Sequence, residues 1–197
     1  MAAKRDTTDP AALVERVLNA VMDGEWAQDD LTARRVGAFL GKTTSVFYHH
    51  WGSFEGFLYT VQRLGFNRLH ARSMIHMASG DLEAMAEDFV IFGLEHPTLY
   101  HLMFQRRYNW DALRKSVTLS DASEGGLAQW HALVRCLDQL GSPDPDGDAR
   151  LLFAGLHGLV SLASTGRANI GALETTDRDM AIALARRLAR RLIPSNP

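Results

Sequence analysis

LTARRVGAFLGKTTSVFYHHWG, residues 31–52, is the stretch from which the rest of the chain is best read. Two short helical patterns meet in it at Gly41. Thr32 is placed to cap the first, with Leu31 and Val36 as a hydrophobic staple around the cap. Gly41 closes that helix, and the second runs from near Thr43 to near His50. Arg34, Arg35 and Lys42 are basic, and no acidic residue occurs between Leu31 and Phe54. This is the pattern of a helix-turn-helix whose second helix enters a groove of DNA.

Reading DNA requires donors for phosphate, short polar groups that reach base edges, and a rigid helix to carry both. Lys42, Thr43, Thr44 and Ser45 lie at the start of the second helix, where unpaired backbone N–H groups add attraction for phosphate. Recognition helices contact bases with their first residues. Thr44 and Ser45 are therefore the expected base-contacting residues. Lys42, Tyr48 and His49 are expected on the sugar-phosphate backbone, with Thr32 and Arg34 in support. Val46, Phe47 and Trp51 would lock the helix against its neighbours. The plainer alternative is that each Thr or Ser is only a cap within an ordinary helical protein.

Working outward, 197 residues suffice for one large domain or two modest ones. A hydrophobic fraction of 46% allows a real core, and a net charge of −2 does not suit a protein that coats nucleic acid. Residues 1–60 hold six basic against eight acidic side chains, so long-range steering toward DNA should be weak. Cys136 is the single cysteine, so no internal disulfide is possible; its apolar helical surroundings suit an inert buried thiol. No apolar run approaches the roughly 20 residues that span a bilayer. MAAKRDTTDP at the start has no apolar stretch of the secretory kind. A soluble cytoplasmic protein without membrane contact is expected.

Helical periodicity runs through nearly the whole chain, and strand signals are weak. Leu13, Val14, Val17, Leu18 and Val21 line one helix face behind an Asp9-Pro10 start signal. Ser53 is expected to cap a long helix reaching about Ser79. The next begins at Gly80-Asp81 and ends before Pro97, and a short helix or turn follows through Phe104. Residues from Arg106 to Gly126 read as loop mixed with short helix. Helices are then predicted over 127–140, 148–166 and 177–192, with a loop at 141–147. The expected class is all-α, about nine helices, divided into a DNA-binding domain at 1–55 and a helical effector-binding and dimerisation domain at 56–197.

The stretch from Leu31 to Leu58 resembles the N-terminal module of the TetR (tetracycline-repressor-like) family of transcription regulators. It keeps that family's Leu31, Thr32, Gly41, Tyr48, Ser53, Glu55 and Leu58, with Val36, Phe47, Trp51 and Phe57 as apolar equivalents. The resemblance implies a recognition helix at roughly 43–49. Phe54 stands where the family commonly has a phosphate-holding Lys, and Gly37 and Leu40 replace small Ala positions. LFAGLHGL (152–159) and HPTLYHLMF (96–104) are similar to a C-terminal subgroup marked by Trp-x-x-x-His-Gly, with Phe153 at the Trp position. The family implies a C-terminal body that binds a small molecule and forms a dimer.

Helix 148–166 is apolar nearly all round, so it must be covered on two sides. One side suits its own core. The other suits a partner subunit, with Leu151, Gly155, Gly158 and Leu162 in contact and Ile182 and Leu188 of the last helix beside them. A central helix in a monomer is the alternative. Candidate effector-lining residues are Phe89, Phe92, Tyr100, Met103, Phe104, Trp110, Trp130 and His157. His157 could bond a ligand or a backbone carbonyl.

No Glu-x-x-His, His-Glu-x-x-His, Cys-x-x-Cys or Gly-rich phosphate loop occurs. No catalytic residue, metal site or cofactor is expected. The competing functional readings are an enzyme and a helical protein-interaction module without DNA binding. The favoured one is a ligand-responsive regulator: a homodimeric repressor on a palindromic double-stranded operator, released by a small apolar effector.

Overall fold

The computed structural model describes residues 9–111, 113, 126–172 and 174–193. Among the described residues there are nine α-helices, one 3-10 turn (Gln28–Asp30) and no strand. The helices are α1 (Pro10–Met22), α2 (Ala33–Leu40), α3 (Ser45–Trp51), α4 (Phe54–Ala78), α5 (Leu82–Glu95), α6 (Pro97–Phe104), α7 (Gly126–Gln139), α8 (Pro145–Ser164) and α9 (Asp177–Leu192). The all-α expectation and the helix count hold. Most of the segment expected as loop with short helix, 112 and 114–125, lies outside the described residues.

Local chemistry sets the helix ends. The Asp9 carboxylate accepts the Ala11 N–H at 3.0 Å, with Pro10 opening α1. Asp144 repeats the device, accepting the Gly147 N–H at 3.1 Å ahead of Pro145. For that reason α8 starts at Pro145, inside the stretch whose Pro and Gly residues read as loop. The Thr32 hydroxyl accepts the Arg35 N–H at 3.4 Å to open α2, and Gly41, with φ +68°, ends it.

The chain divides into two compact units, Met1–Gly65 with Thr98–Asp121 and Phe66–Pro97 with Ala122–Pro197. The division falls inside α4, between Gly65 and Phe66.

In the first unit, Leu13, Val14, Val17, Leu18 and Val21 of α1 are all buried, as their spacing predicts, and α1 packs on α2. The 3-10 turn carries Asp30, which ion-pairs with Arg35. Thr98 donates its hydroxyl to the Trp26 carbonyl at 2.7 Å, and Phe39 meets the Trp26 ring edge-on. Gly65 allows α6 to lie close on α4. A Cβ there would come within 2.9 Å of Leu99 Cδ1 and 3.0 Å of Met103 Sδ.

In the second unit, α9 lies against α5 and α8, and α8 also touches α5 and α7. Ala181, Ala185 and Ala189 form a fully buried stripe one turn apart. Small side chains there bring the α9 backbone close to its neighbours. Arg178 pairs with Glu95 at 2.9 Å, Arg186 with Glu87 at 2.9 Å and Arg190 with Glu83 at 2.7 Å. Climbing α9 therefore descends α5, so the two run antiparallel. Exposed pairs of this kind are screened by solvent, so they set register more than they add stability. Arg72 grips Asp88 through two nitrogens and lies 5.6 Å from the Phe92 ring centroid. Cys136 is buried with its sulfur 4.0 Å from the Met77 carbonyl, and burial pushes its thiol pKa up. That suits the inert thiol expected of it.

Candidate nucleic-acid interface and effector region

Residues 31–52 form two short helices joined by a tight turn. The Lys42 N–H donates to the Gly37 carbonyl at 2.9 Å across Gly41. A Cβ on residue 37 would stand 3.0 Å from the Lys42 carbonyl oxygen. Glycine in place of alanine here relieves the closest point of the turn. Helix α3 begins at Ser45, with Thr44 as its cap position, so Lys42 and Thr43 belong to the turn. Thr44 makes no side-chain cap bond, whereas the Thr43 and Ser45 hydroxyls share a 2.6 Å hydrogen bond.

The faces of α3 differ sharply. Phe47 and Trp51 point inward into an aromatic cluster with the first turn of α4. Phe47 lies 4.8 Å from Phe57 and 5.0 Å from Phe54, and Trp51 lies 4.9 Å from Phe57. Burying Phe47 and Phe57 completely stabilises this anchor by about 1.5–3 kcal/mol per ring. Thr43, Thr44, Ser45, Tyr48 and His49 are exposed on the other face, Tyr48 to 62%. Arg34 is exposed and Lys42 half-buried. Arg35 is drawn back by Asp30 and by the Trp26 ring, 5.7 Å away. Thr32 has given its oxygen to the α2 cap but keeps its hydroxyl proton to donate. Thus all eight residues singled out for DNA lie on α2 or its cap, the turn or α3, and seven of the eight are exposed, Lys42 alone being half-buried.

The eight effector candidates are divided between the two units. Phe89, Trp130 and His157 gather in the second unit. His157 lies 5.4 Å from Phe89 and 4.2 Å from Phe153, which in turn lies 6.1 Å from Trp130. Burial lowers the His157 pKa from the usual 6.5 to about 4, so its ring is neutral near pH 7. Phe92 of the same unit packs 5.1 Å from His96. Tyr100, Met103, Phe104 and Trp110 belong to the first unit. Met103 is buried against Gly65, and its carbonyl accepts the Gln62 amide at 2.9 Å. Tyr100 lies 4.9 Å from Phe104.

Trp110 completes a triangle that sequence reasoning missed, with Tyr59 at 5.9 Å, Tyr108 at 6.0 Å, and 5.8 Å between the two tyrosines. Arg106 stands 5.6 Å from the Tyr108 ring centroid. Its neighbours in sequence carry no helical or strand period, so only the folded chain reveals the grouping.

On α8, Leu151 (62% exposed) and Leu162 (44%) share an outward stripe with Ala154 and Gly158. A Cβ on Gly158 would meet nothing within 4 Å, whereas one on Gly155 would stand 2.3 Å from Leu188 Cδ2 of the same chain. Gly155 and Leu188 therefore mate within the subunit. Ile182 is half-buried. Among the described residues no group of three or more His, Cys, Asp or Glu is arranged to hold a metal ion. No helix there is long and apolar enough to cross a membrane.

Among solved structures, the chain is similar to a protein of unknown function from Rhodococcus sp. RHA1. The TM-score is 0.68 at 19% identity, covering 98% of this chain and 100% of that one. This likeness is one of fold. No curated protein matches the sequence. Residues 82–192 match the family described as Tetracyclin repressor-like, C-terminal domain. That match spans more than half of the sequence and complements the N-terminal helix-turn-helix, so the chain belongs to the tetracycline repressor-like family.

Proposed function

We propose that this protein is a ligand-responsive transcription regulator and not an enzyme. It acts as a homodimer on a near-palindromic operator, most simply as a cytoplasmic repressor. The observation that carries the reading is the divided α3. One face is cemented by Phe47 and Trp51; the other presents Ser45, Tyr48 and His49 to solvent beside Thr43 and Thr44 of the turn and cap, in a stretch with no acidic side chain. Thr44 and Ser45 would meet base edges. Thr32, Arg34, Lys42, Thr43, Tyr48 and His49 would hold the phosphates on either side.

Two recognition helices must reach half-sites about 34–36 Å apart, which calls for a symmetric pair. The apolar stripe of Leu151, Ala154, Gly158 and Leu162 supports α8 as the dimer face, with Ile182 of α9 beside it. Gly155 and Leu188, mated inside the subunit, would shape that face from beneath. A mainly apolar effector would release the operator by binding better to a conformation whose recognition helices are mis-spaced.

Selection of duplexes by the purified protein tests the reading. The expected result is enrichment of an inverted repeat whose binding weakens as salt rises. Enrichment of no sequence, with equal retention of random duplexes, would refute it.

A further inference from the structure

In the first unit Gln62 Oε1, Arg106 Nε and the Tyr108 hydroxyl are buried polar atoms that find no hydrogen-bond partner among the described residues. Native interiors carry few such groups, because leaving one unpaired forfeits the water it gave up. A chain of contacts links the three. Gln62 and Tyr59 stand three residues apart on one face of α4. Tyr108 packs on Tyr59 at 5.8 Å, and Arg106 lies over the Tyr108 ring. Gln62 is held from its other end, its amide nitrogen donating to the Met103 carbonyl at 2.9 Å, which leaves its oxygen as the free acceptor.

The set has a definite chemistry. It offers two donors, the Tyr108 hydroxyl and the Nε–H of the Arg106 guanidinium, one amide acceptor, and the rings of Tyr59, Tyr108 and Trp110 as an apolar wall. Burial pushes the Tyr108 hydroxyl pKa up, so it remains a protonated donor throughout the physiological range. Glu55 also bears electrostatically on that hydroxyl. A dianion such as phosphate would meet this repulsion, and a monoanion meets less of it. The three rings already touch at 5.8–6.0 Å. A ligand ring therefore lies on the wall, at half-exposed Trp110, and does not slide between them.

We propose that Tyr59, Gln62, Arg106, Tyr108 and Trp110 form the effector site, and that it takes a small aromatic monocarboxylate bearing a hydroxyl or amino group. The carboxylate would accept from Arg106 Nε and the Tyr108 hydroxyl, the ring would cover Trp110, and the ligand's own donor would reach Gln62 Oε1. The assignment rests on the regulator reading, and it supplies the polar head that an effector with an apolar body requires.

Titration calorimetry of the full chain with 4-hydroxybenzoate, 4-aminobenzoate, methyl 4-hydroxybenzoate and inorganic phosphate tests it. Both acids should bind saturably, the ester about tenfold or more weaker, and phosphate not at all. Tyr108→Phe and Arg106→Lys should each weaken acid binding by about fivefold or more. Tyr108→Phe should at the same time keep or raise the Tm of the free protein, since it deletes an unpaired buried hydroxyl; a merely structural tyrosine would lower it. Equal binding of acid and ester overturns the proposal. So does an absence of saturable heat at millimolar acid, or Tyr108→Phe lowering the Tm with acid affinity unchanged. Duplex binding measured without ligand separates the two readings. Protein that retains its operator and ignores the acids refutes this site alone. Protein that binds the acids through these residues and no duplex refutes the regulator and upholds the site.

Discussion

Replacing Tyr48 by alanine separates binding from stability. The side chain is 62% exposed and takes no part in the Phe47–Trp51–Phe57 cluster. Its loss should move folding stability by no more than about 0.5 kcal/mol. On DNA, a phenol donating to a charged phosphate contributes about 1.5–3 kcal/mol. A symmetric dimer loses two such bonds, so affinity should fall by about two to four orders of magnitude at about 1.4 kcal/mol per tenfold. Fluorescence anisotropy on a selected operator, beside a thermal melt, measures both quantities. The tyrosine is uncharged, so the slope of log affinity against log salt should stay as in the parent. Lys42→Ala should reduce that slope by about one for each protomer, if Lys42 holds a phosphate. A Tyr48→Ala protein that binds within about threefold of the parent would refute the assignment of the outer face of α3.

Three further changes probe the rest of the molecule. Leu151→Glu alters a 62% exposed side chain, so the subunit should fold with nearly unchanged Tm but run as a monomer in light scattering; a persistent dimer would move the interface elsewhere. Ala185→Leu forces three extra carbons into the fully buried stripe of α9, at a cost of about 1–3 kcal/mol by denaturant titration. An unchanged midpoint would mean that α9 is more loosely packed than its burial implies. His157 titrates near 6.5 when unfolded and near 4 when folded, so between those values the unfolded state binds more protons. Its contribution is intact above about pH 6.5 and lost as pH falls toward 4, at up to about 1.4 kcal/mol per pH unit. His157→Phe should flatten the parent's loss of stability across that window, and equal slopes in the two proteins would exclude this histidine as a source.

Helical class, cap positions and the two faces of α3 were legible in residue order because they depend on neighbours within about a turn. Asp9-Pro10, Thr32 and Gly41 act through bonds to residues two to five positions away, and the spacing of Phe47 and Trp51 alone sends both rings to one side. Asp144-Pro145 carried the same start signal, obscured by the Pro and Gly around it. The body obeyed different rules. Whether Gly155 faced a second subunit or Leu188 of its own chain turned on how α8 and α9 packed, and no local period encodes that. Which of the eight effector candidates line a cavity is not written in local order either, since any buried aromatic suits a core and a cavity equally. Tyr59, Gln62, Arg106 and Tyr108 came together only when the chain beyond α6 folded back beside α4. Short-range bonding is written in adjacent residues; the meeting of distant side chains is chosen by packing, which order along the chain does not specify.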